Sequence, residues 1–253
     1  MIGTTRRRSR LFDPSSGRSV ILSLDHGASD GMIAGIENIQ DILSAVGKTR
    51  TQGVVLNKGL ARAWGADVDQ RLGLMVQLSG GTKHGLPTYN KSLVCSVPEA
   101  LRAGADAVCV HVNLGNDLED RMLGDLGVVT DEAHQLGLPV MAVIYARGGQ
   151  IVNELDPSLI SHSIRLGGEL GADLVAVPYS GNKKSFGLAA RSCPVPVLVT
   201  GGPRKADLTS CLKDMEEALD AGAAGVCVGR NVFQHTDPAE ALSRVVERVH
   251  GKV

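Results

Sequence analysis

The 253-residue sequence predicts a single (β/α)8 barrel, the TIM-barrel fold class, on three observations. Eight short apolar runs follow one another, separated by segments in which apolar residues recur at helical spacing. The runs are continuous in Val, Ile and Leu, as expected for strands of a parallel sheet that is buried on both faces. Eight such units in about 250 residues match the usual size of this barrel.

Each apolar run ends where polar residues or glycines interrupt it, as strands do when they reach the edge of a sheet. The predicted strands, in order, are SVILSLDHG at 19–27, GVVLNKG at 53–59, LMVQLSGG at 74–81, AVCVHVN at 107–113, PVMAVIYARG at 139–148, DLVAVPYSG at 173–181, PVLVTGG at 196–202 and GVCVGRN at 225–231.

Helical spacing is clearest in three connecting segments, VPEALRAGAD, HSIRLGGELGAD and MEEALDAGAAG. Each ends on glycine and alanine before the next strand, and such a glycine can close a helix in the left-handed conformation. The ending recurs at 104–108, 171–175 and 222–226, which indicates repeated β-α units. The alternative, a doubly wound open sheet, normally has about five or six strands and a GxGxxG turn after the first. This sequence lacks that turn.

The eight β-α units predict one domain over 1–253, with residues 1–18 as a basic N-terminal extension. The net charge of −1 favours neither nucleic acid nor an anionic membrane as a partner. The basic run at 6–10 is interpreted as a solvated tail, and no apolar stretch is long enough for a signal peptide or a membrane span. Five cysteines without CxxC spacing predict free thiols and a cytoplasmic location.

In a (β/α)8 barrel the functional groups lie at the carboxyl ends of the strands. The first strand ends in Asp25 and His26; we expect Asp25 to act as a general acid or base and His26 to orient it. Asp25 could instead cap a turn or pair with a cation. Lys58 closes the second strand, where it is a candidate amine nucleophile or the partner of Asp25 or of a substrate anion.

Glycine turns after the third, seventh and eighth strands predict a phosphate site, because glycine lets backbone N–H groups approach an anion closely. Paired turns after the last two strands are the usual phosphate site of this fold. The candidate residues are Ser79, Gly80, Gly201, Gly202, Gly229 and Arg230.

The fourth and fifth strands end in polar pairs whose members face the same side, because alternate residues of a strand share a face. We expect His111 and Asn113 to contact substrate, Tyr145 to donate a proton and Arg147 to hold an anionic group, although Tyr145 could simply be packed. No spacing demands a metal, so we expect neither a metal nor a cofactor, although Asp25, His26 and His111 could converge in space to hold a metal ion.

The strand-end motifs occur in an order that resembles a known enzyme family. LDHG, NKG, LSGGT, HVN, YARG, PYSG, VTGGP and AGAAGVCVGRNVFQH follow one another from about Val20 to about Pro238. This order is similar to that of the archaeal-type class I aldolases. That group contains archaeal fructose-bisphosphate aldolase, 2-amino-3,7-dideoxy-D-threo-hept-6-ulosonate synthase and the autoinducer-2 thiolase.

The resemblance implies residue roles and an assembly. Asp25 matches the family's proton-transfer aspartate and Tyr145 its general acid, while the last two glycine turns match its phosphate-binding turns. The PYSG motif adds Tyr179 and Ser180 as substrate-binding candidates. Family members form rings of five or ten subunits, so a homo-oligomer that acts on a phosphorylated small molecule is expected.

One family residue is missing. The Schiff-base lysine of these enzymes lies three residues before the tyrosine of the PYSG-like motif, and Ala176 occupies that position. Three hypotheses follow. Another amine, Lys58 or less favourably Lys183 or Lys184, could sustain aldolase chemistry. The enzyme could instead use acid-base chemistry alone, as an isomerase, epimerase, dehydratase or cyclase. Lastly, it could be a non-catalytic phosphate-binding relative. We favour the first.

Overall fold

A computed structural model describes residues 1–251 and confirms the predicted single (β/α)8 barrel. Eight parallel strands close in the order β1-β10-β9-β8-β7-β6-β3-β2, and β4 and β5 form a separate antiparallel pair. Residues 252–253, the end of the predicted domain, lie outside the described range. The strands are β1 Ser19–Ser23, β2 Gly53–Asn57, β3 Gly73–Gln77, β4 Ser79–Gly80, β5 Ser92–Leu93, β6 Ala107–Leu114, β7 Val140–Ala146, β8 Leu174–Pro178, β9 Val197–Thr200 and β10 Gly225–Val228.

Helices connect the barrel strands. They are α1 Ile2–Arg10, α2 Gly27–Asp30, α3 Ile39–Val46, α4 Lys58–Trp64, α5 Val97–Arg102, α6 Glu119–Gln135, α7 Pro157–Glu169, α8 Lys183–Ser192, α9 Leu208–Ala221, α10 Arg230–Phe233 and α11 Pro238–His250, with a 3-10 turn at Gly65–Asp67. None of these helices is both long and apolar enough to cross a membrane.

Local sequence signals set the helix ends. Asp156 and Asp237 accept backbone N–H bonds at the starts of α7 and α11, each directly before a proline in the first turn. The predicted left-handed glycines at helix ends are confirmed. At or just after the ends of their helices, Gly104, Gly171 and Gly222 have φ of +89°, +90° and +116°. Residues that carry a Cβ rarely adopt this backbone conformation, so glycine is favoured at these positions.

The core has two layers because alternate residues of each strand face opposite sides. In β8, Val175 and Val177 pack outward against the helices, whereas Leu174 and Ala176 point into the barrel. The interior layer is apolar near the amino ends of the strands and becomes polar at their carboxyl ends. This alternation decides which strand-end residues reach the barrel mouth.

The N-terminal residues are not the solvated tail that the basic run predicts. They form α1, which is followed by fully buried Leu11 at the amino end of the barrel. Leu11 is the N-terminal plug that fills the amino end of the barrel. A Cβ on Gly73 would fall 2.5 Å from Leu11 Cδ2, so glycine at position 73 makes room for it. The arginines hold the helix in place: Arg7 donates to Gly137 O at 2.8 Å and Arg10 pairs with Asp106 at 2.6 Å.

Candidate active site

A polar cavity of about 230 Å³ opens at the carboxyl ends of the barrel strands. Eleven of the residues selected from the sequence line it: Asp25, His26, Ser79, Gly80, His111, Tyr145, Arg147, Gly201, Gly202, Gly229 and Arg230. They come from six different strand ends, and only closure of the barrel brings them together. This is where enzymes with this fold place their active sites.

Asp25 is held in the turn after β1. The Ser23 hydroxyl donates to Asp25 Oδ1, and Asn57 Nδ2 donates to the Asp25 backbone oxygen at 2.7 Å. The side chain of Asp25 is 24% exposed, toward the cavity. A fixed, partly shielded carboxylate of this kind can accept a proton from a bound substrate.

His26 is a buried neighbour of Asp25. Its ring meets Phe233 edge-on at 5.1 Å between ring centres, and a Cβ on Gly229 would fall 2.5 Å from His26 Cε1. Burial lowers the pKa of His26, because it disfavours the charged ring. His26 Nδ1 lies 3.7 Å from Asp25 Oδ1 and has no hydrogen-bond partner within residues 1–251. At 3.7 Å His26 packs beside the Asp25 carboxylate without a hydrogen bond to it.

Tyr145 lies on the cavity wall beneath a guanidinium group. The Arg147 Cζ atom is 4.2 Å from the centre of the Tyr145 ring, and Arg147 Nε donates to Glu154 at 2.9 Å. Burial raises the pKa of Tyr145, so its hydroxyl keeps the proton. Tyr145 therefore has the protonation state of a hydrogen-bond donor or general acid.

His111 is neutral and held in one tautomer. Burial, with help from the positive charges of Lys91 and Arg147, lowers the pKa of His111 to about 3. Asn113 Nδ2 donates to Tyr89 O at 2.5 Å, so its oxygen is the acceptor for His111 Nε2 at 3.0 Å. Asn113 lies beneath the cavity lining and positions His111, although the sequence suggested direct substrate contact.

The ends of the last two barrel strands meet at one corner of the cavity, where Gly202, Gly229 and Arg230 lie. Arg230 Nε is buried without a partner in the described chain, and Arg230 Nη2 lies 3.4 Å from Gly202 O. The Gly201 N–H is already donated to Cys227 O at 3.1 Å. Asn231 positions the turn, because its Nδ2 donates to Gly201 O at 2.8 Å and its Oδ1 accepts from Lys205 N.

Several lining residues were not selected from the sequence, and Lys91 is the most important. Of the lysines in residues 1–251, it alone lines the cavity. Gln77 Oε1 and Thr200 Oγ1 also line it and have no partner within the described chain. Buried polar atoms normally have partners, so these atoms indicate a polar ligand or water. Lys91 lies at the end of the loop between β4 and β5, and no sequence signal shows which loop residue folds inward.

Lys58 does not reach the cavity. Asn57 uses the last inward position of β2, so Lys58 falls on the opposite face and begins α4. Its Nζ pairs with Glu99 at 3.2 Å and its side chain is 41% exposed. Lys183 and Lys184 also lie outside the cavity, in the first turn of α8. These positions do not fit a catalytic amine.

The end of β8 also contributes less than the sequence suggested. Tyr179 faces outward like Val177 and packs on Phe186 at 5.4 Å between ring centres, while Ser180 Oγ accepts from Asn182 N at 3.3 Å in the following turn. Ala176 points into the barrel but is fully buried in its apolar layer. None of the three lines the cavity.

The described chain has no group of three or more His, Cys, Asp or Glu side chains that could jointly hold a metal ion. Asp25, His26 and His111 share the cavity, but they do not form such a group.

Comparison with known proteins identifies the family. Residues 19–235 match the family described as DeoC/LacD family aldolase. The chain is 37% identical over 244 residues to 2-amino-4,5-dihydroxy-6-oxo-7-(phosphonooxy)heptanoate synthase of Streptomyces griseus, covering 96% of this chain and 89% of that protein. It is 34% identical over 253 residues to 2-amino-3,7-dideoxy-D-threo-hept-6-ulosonate synthase 1 of Archaeoglobus fulgidus, covering 100% and 93%.

A solved structure agrees. An archaeal fructose-1,6-bisphosphate aldolase with its catalytic lysine covalently bound to the carbinolamine intermediate superimposes with a TM-score of 0.86 at 32% identity, covering 98% of this chain and 100% of that one. The motif resemblance is thereby confirmed. The protein belongs to the DeoC/LacD aldolase family and is an aldolase-family enzyme with a single (β/α)8 barrel.

Proposed function

We propose that this enzyme makes or breaks a carbon–carbon bond in a phosphorylated ketose or keto acid. One observation carries the proposal: Asp25, Tyr145 and the Arg230 corner converge on the same cavity. Aldol chemistry requires a group that moves a proton at the substrate hydroxyl and a fixed site that orients the substrate. The Streptomyces relative is named for a phosphonooxy compound and the archaeal aldolase for a bisphosphate. Both names support a phosphorylated substrate for this chain.

The charges of the cavity favour an anion. Lys91, Arg147 and Arg230 line it, against two carboxylates, Asp25 and Asp30. The histidines add no positive charge, because burial lowers the pKa of both. The excess positive charge is concentrated in a small, partly enclosed space, where it attracts an anionic substrate more strongly than an exposed site would.

The geometry suggests an orientation for the substrate. A phosphate at Gly202, Gly229 and Arg230 would satisfy the buried Arg230 Nε, which has no partner within residues 1–251. The reacting carbons would then lie between Asp25 and Tyr145. In the cleavage direction Asp25, directly or through a water, takes the hydroxyl proton. Tyr145, which keeps its own proton, is the donor to developing negative charge.

The direct test is to incubate the purified enzyme with fructose 1,6-bisphosphate and to assay for triose phosphates. The reverse reaction is tested with dihydroxyacetone phosphate and a set of aldehydes. We expect formation or cleavage of a carbon–carbon bond with at least one pair. Solvent deuterium entering the α-carbon of the ketone without any such bond change would instead support an isomerase or another lysine-independent acid-base enzyme.

Arg230→Gln is expected to raise KM for the phosphorylated substrate about 10- to 100-fold, because it removes a charge-assisted contact worth about 1.5–3 kcal/mol. The measurement is steady-state kinetics with the substrate found above. Arg244→Gln is the matched control, since Arg244 lies half-buried on α11 and does not line the cavity. Equal KM values in the two variants would place the phosphate elsewhere.

We also propose a homo-oligomer of five or ten subunits in a reducing cytoplasm, as the family resemblance and the free cysteines suggest. Light scattering of the purified protein tests the assembly, and a monomeric mass would contradict it.

A further inference from the structure

Lys91 is a cavity residue with a reactive amine to which the proposed function gives no catalytic role. It follows the loop after β4 and directly precedes β5. Among residues 1–251 it is the one lysine that lines the cavity, where Asp25, Tyr145 and Arg147 also lie. The interior of the barrel offers no amine at Ala176, which is buried among apolar side chains. An amine that reaches a carbonyl group in this cavity therefore has to come from the loop.

Hydrogen bonds from other elements hold the loop segment that ends at Lys91. Asn113, at the end of β6, donates to Tyr89 O at 2.5 Å. Arg121 of α6 donates to both Asn90 Oδ1 and Lys91 O. These bonds tie three successive loop residues to β6 and α6. The loop is thus anchored to rigid elements, as positioning of a reactive group requires.

Gly81 holds the other side of the loop. A Cβ at position 81 would collide with the carbonyl oxygen of Asn90, so only glycine allows the two loop segments to pack together. Lys91 Nζ reaches back to Gly81 O at 3.4 Å. The glycine that the sequence suggested as part of an anion turn also makes room for the lysine-bearing segment.

The environment of Lys91 differs from that of other lysines in the described chain. Lys58, Lys183 and Lys205 each pair with a carboxylate, whereas the hydrogen bond found for Lys91 Nζ is to a carbonyl oxygen. Burial lowers the pKa of Lys91; the charges of Asp25 and Asp30 oppose this effect, and the charge of Arg147 adds to it. Desolvation beside another cation increases the neutral, nucleophilic fraction of an amine.

We propose that Lys91 is the catalytic amine of this enzyme and forms an imine with the carbonyl carbon of a phosphorylated ketone, in place of a lysine at position 176. This inference rests on the proposed carbon–carbon bond chemistry. It names the residue that supplies the electron sink for that reaction. It also explains how the enzyme can have alanine on the sixth barrel strand.

The steps balance without another reactant. The lone pair of Lys91 Nζ attacks the ketone carbon, and the carbonyl oxygen takes one proton from Nζ and one from Tyr145 or a water. The oxygen then leaves as water to give a protonated imine, and hydrolysis of the imine later returns the proton. Asp25 or a water next to it takes the proton of the hydroxyl on the β-carbon. The bond between the α- and β-carbons then breaks, an aldehyde leaves, and the bonding electrons pass to the imine as an enamine. Protonation of the α-carbon and hydrolysis by water restore the ketone and Lys91.

The test is borohydride reduction of the whole protein in the presence of dihydroxyacetone phosphate, followed by peptide mass spectrometry. We expect a covalent adduct on the peptide that contains Lys91. The Lys91→Arg variant keeps the positive charge but cannot form the imine. It should lose the adduct and at least a hundredfold in kcat, whereas Lys213→Arg, an exposed lysine on α9, should keep both.

Three results would overturn the assignment: an adduct on another lysine such as Lys58, no adduct on wild-type protein, or full turnover by Lys91→Arg. The last would show that Lys91 serves only as a cation for an anionic substrate. Trapping does not depend on turnover. An adduct on Lys91 in a protein that neither makes nor breaks a carbon–carbon bond would support this inference and refute the proposed function.

Discussion

Asp25→Asn is expected to lower kcat about 10²- to 10⁴-fold while KM changes only a few-fold. The amide has the shape of the carboxylate and can still accept from the Ser23 hydroxyl, so the turn after β1 should be retained. It cannot accept a proton at neutral pH. The loss therefore falls on the chemical step, and steady-state kinetics with the substrate that the enzyme turns over measures it.

Asp131→Asn is the control for this change, because Asp131 is exposed on α6 and does not line the cavity. If Asp25 and Tyr145 act in the same step, the double variant Asp25→Asn/Tyr145→Phe should have a kcat only slightly below that of the more impaired single variant. Unaltered kcat in Asp25→Asn would remove the carboxylate from proton transfer and leave Tyr145 or a bound water as the acceptor.

Gly225→Ala is expected to lower the free energy of unfolding by about 3 kcal/mol or more. Gly225 has a φ of +153°, and a Cβ there would lie 2.7 Å from Ser19 N and closer still to Ser19 O. The backbone has little room to move, because Gly225 pairs with Ser19 on one side and with Leu198 on the other. The strain falls where β10 closes the barrel against β1.

Urea unfolding followed by circular dichroism measures this loss. Gly124→Ala is the matched control, since Gly124 lies inside α6 and a Cβ there would meet nothing within 4 Å. The control should gain up to about 1 kcal/mol, because alanine favours helix more than glycine does. A loss below about 1 kcal/mol in Gly225→Ala, against that control, would mean that β1 and β10 can separate slightly at this point.

The barrel could be predicted from local pattern because continuous apolar runs and helical segments alternate along the whole chain. The glycines that end α5, α7 and α9 were predictable for the same reason, since left-handed helix ends favour one residue type. The N-terminal plug could not be predicted. Nothing local to Leu11 distinguishes a residue that fills the amino end of a barrel from one in a solvated segment.

Most of the cavity could also be predicted, because the fold brings all strand carboxyl ends to one mouth. The predictions for Lys58 and Tyr179 were wrong about the face of the strand on which each side chain lies, and not about its position along the strand. Val55 points into the barrel, so Lys58 three residues later faces outward, and Val177 likewise predicts that Tyr179 packs against α8. Once the structure shows which residues of each strand face inward, the two-residue alternation excludes both from the cavity.

The fold class, the family resemblance and the alanine at position 176 could all be predicted or read before folding is considered, because each depends on residue types in a linear order. Which amine enters the cavity depends on how distant parts of the folded chain pack together. Lys91 reaches it through hydrogen bonds from Asn113 and Arg121, residues 22 or more positions away along the chain, and through the close approach of Gly81. Contacts between residues so distant in sequence depend on closure of the barrel and on packing. They produce no local sequence pattern from which the position of Lys91 could be predicted.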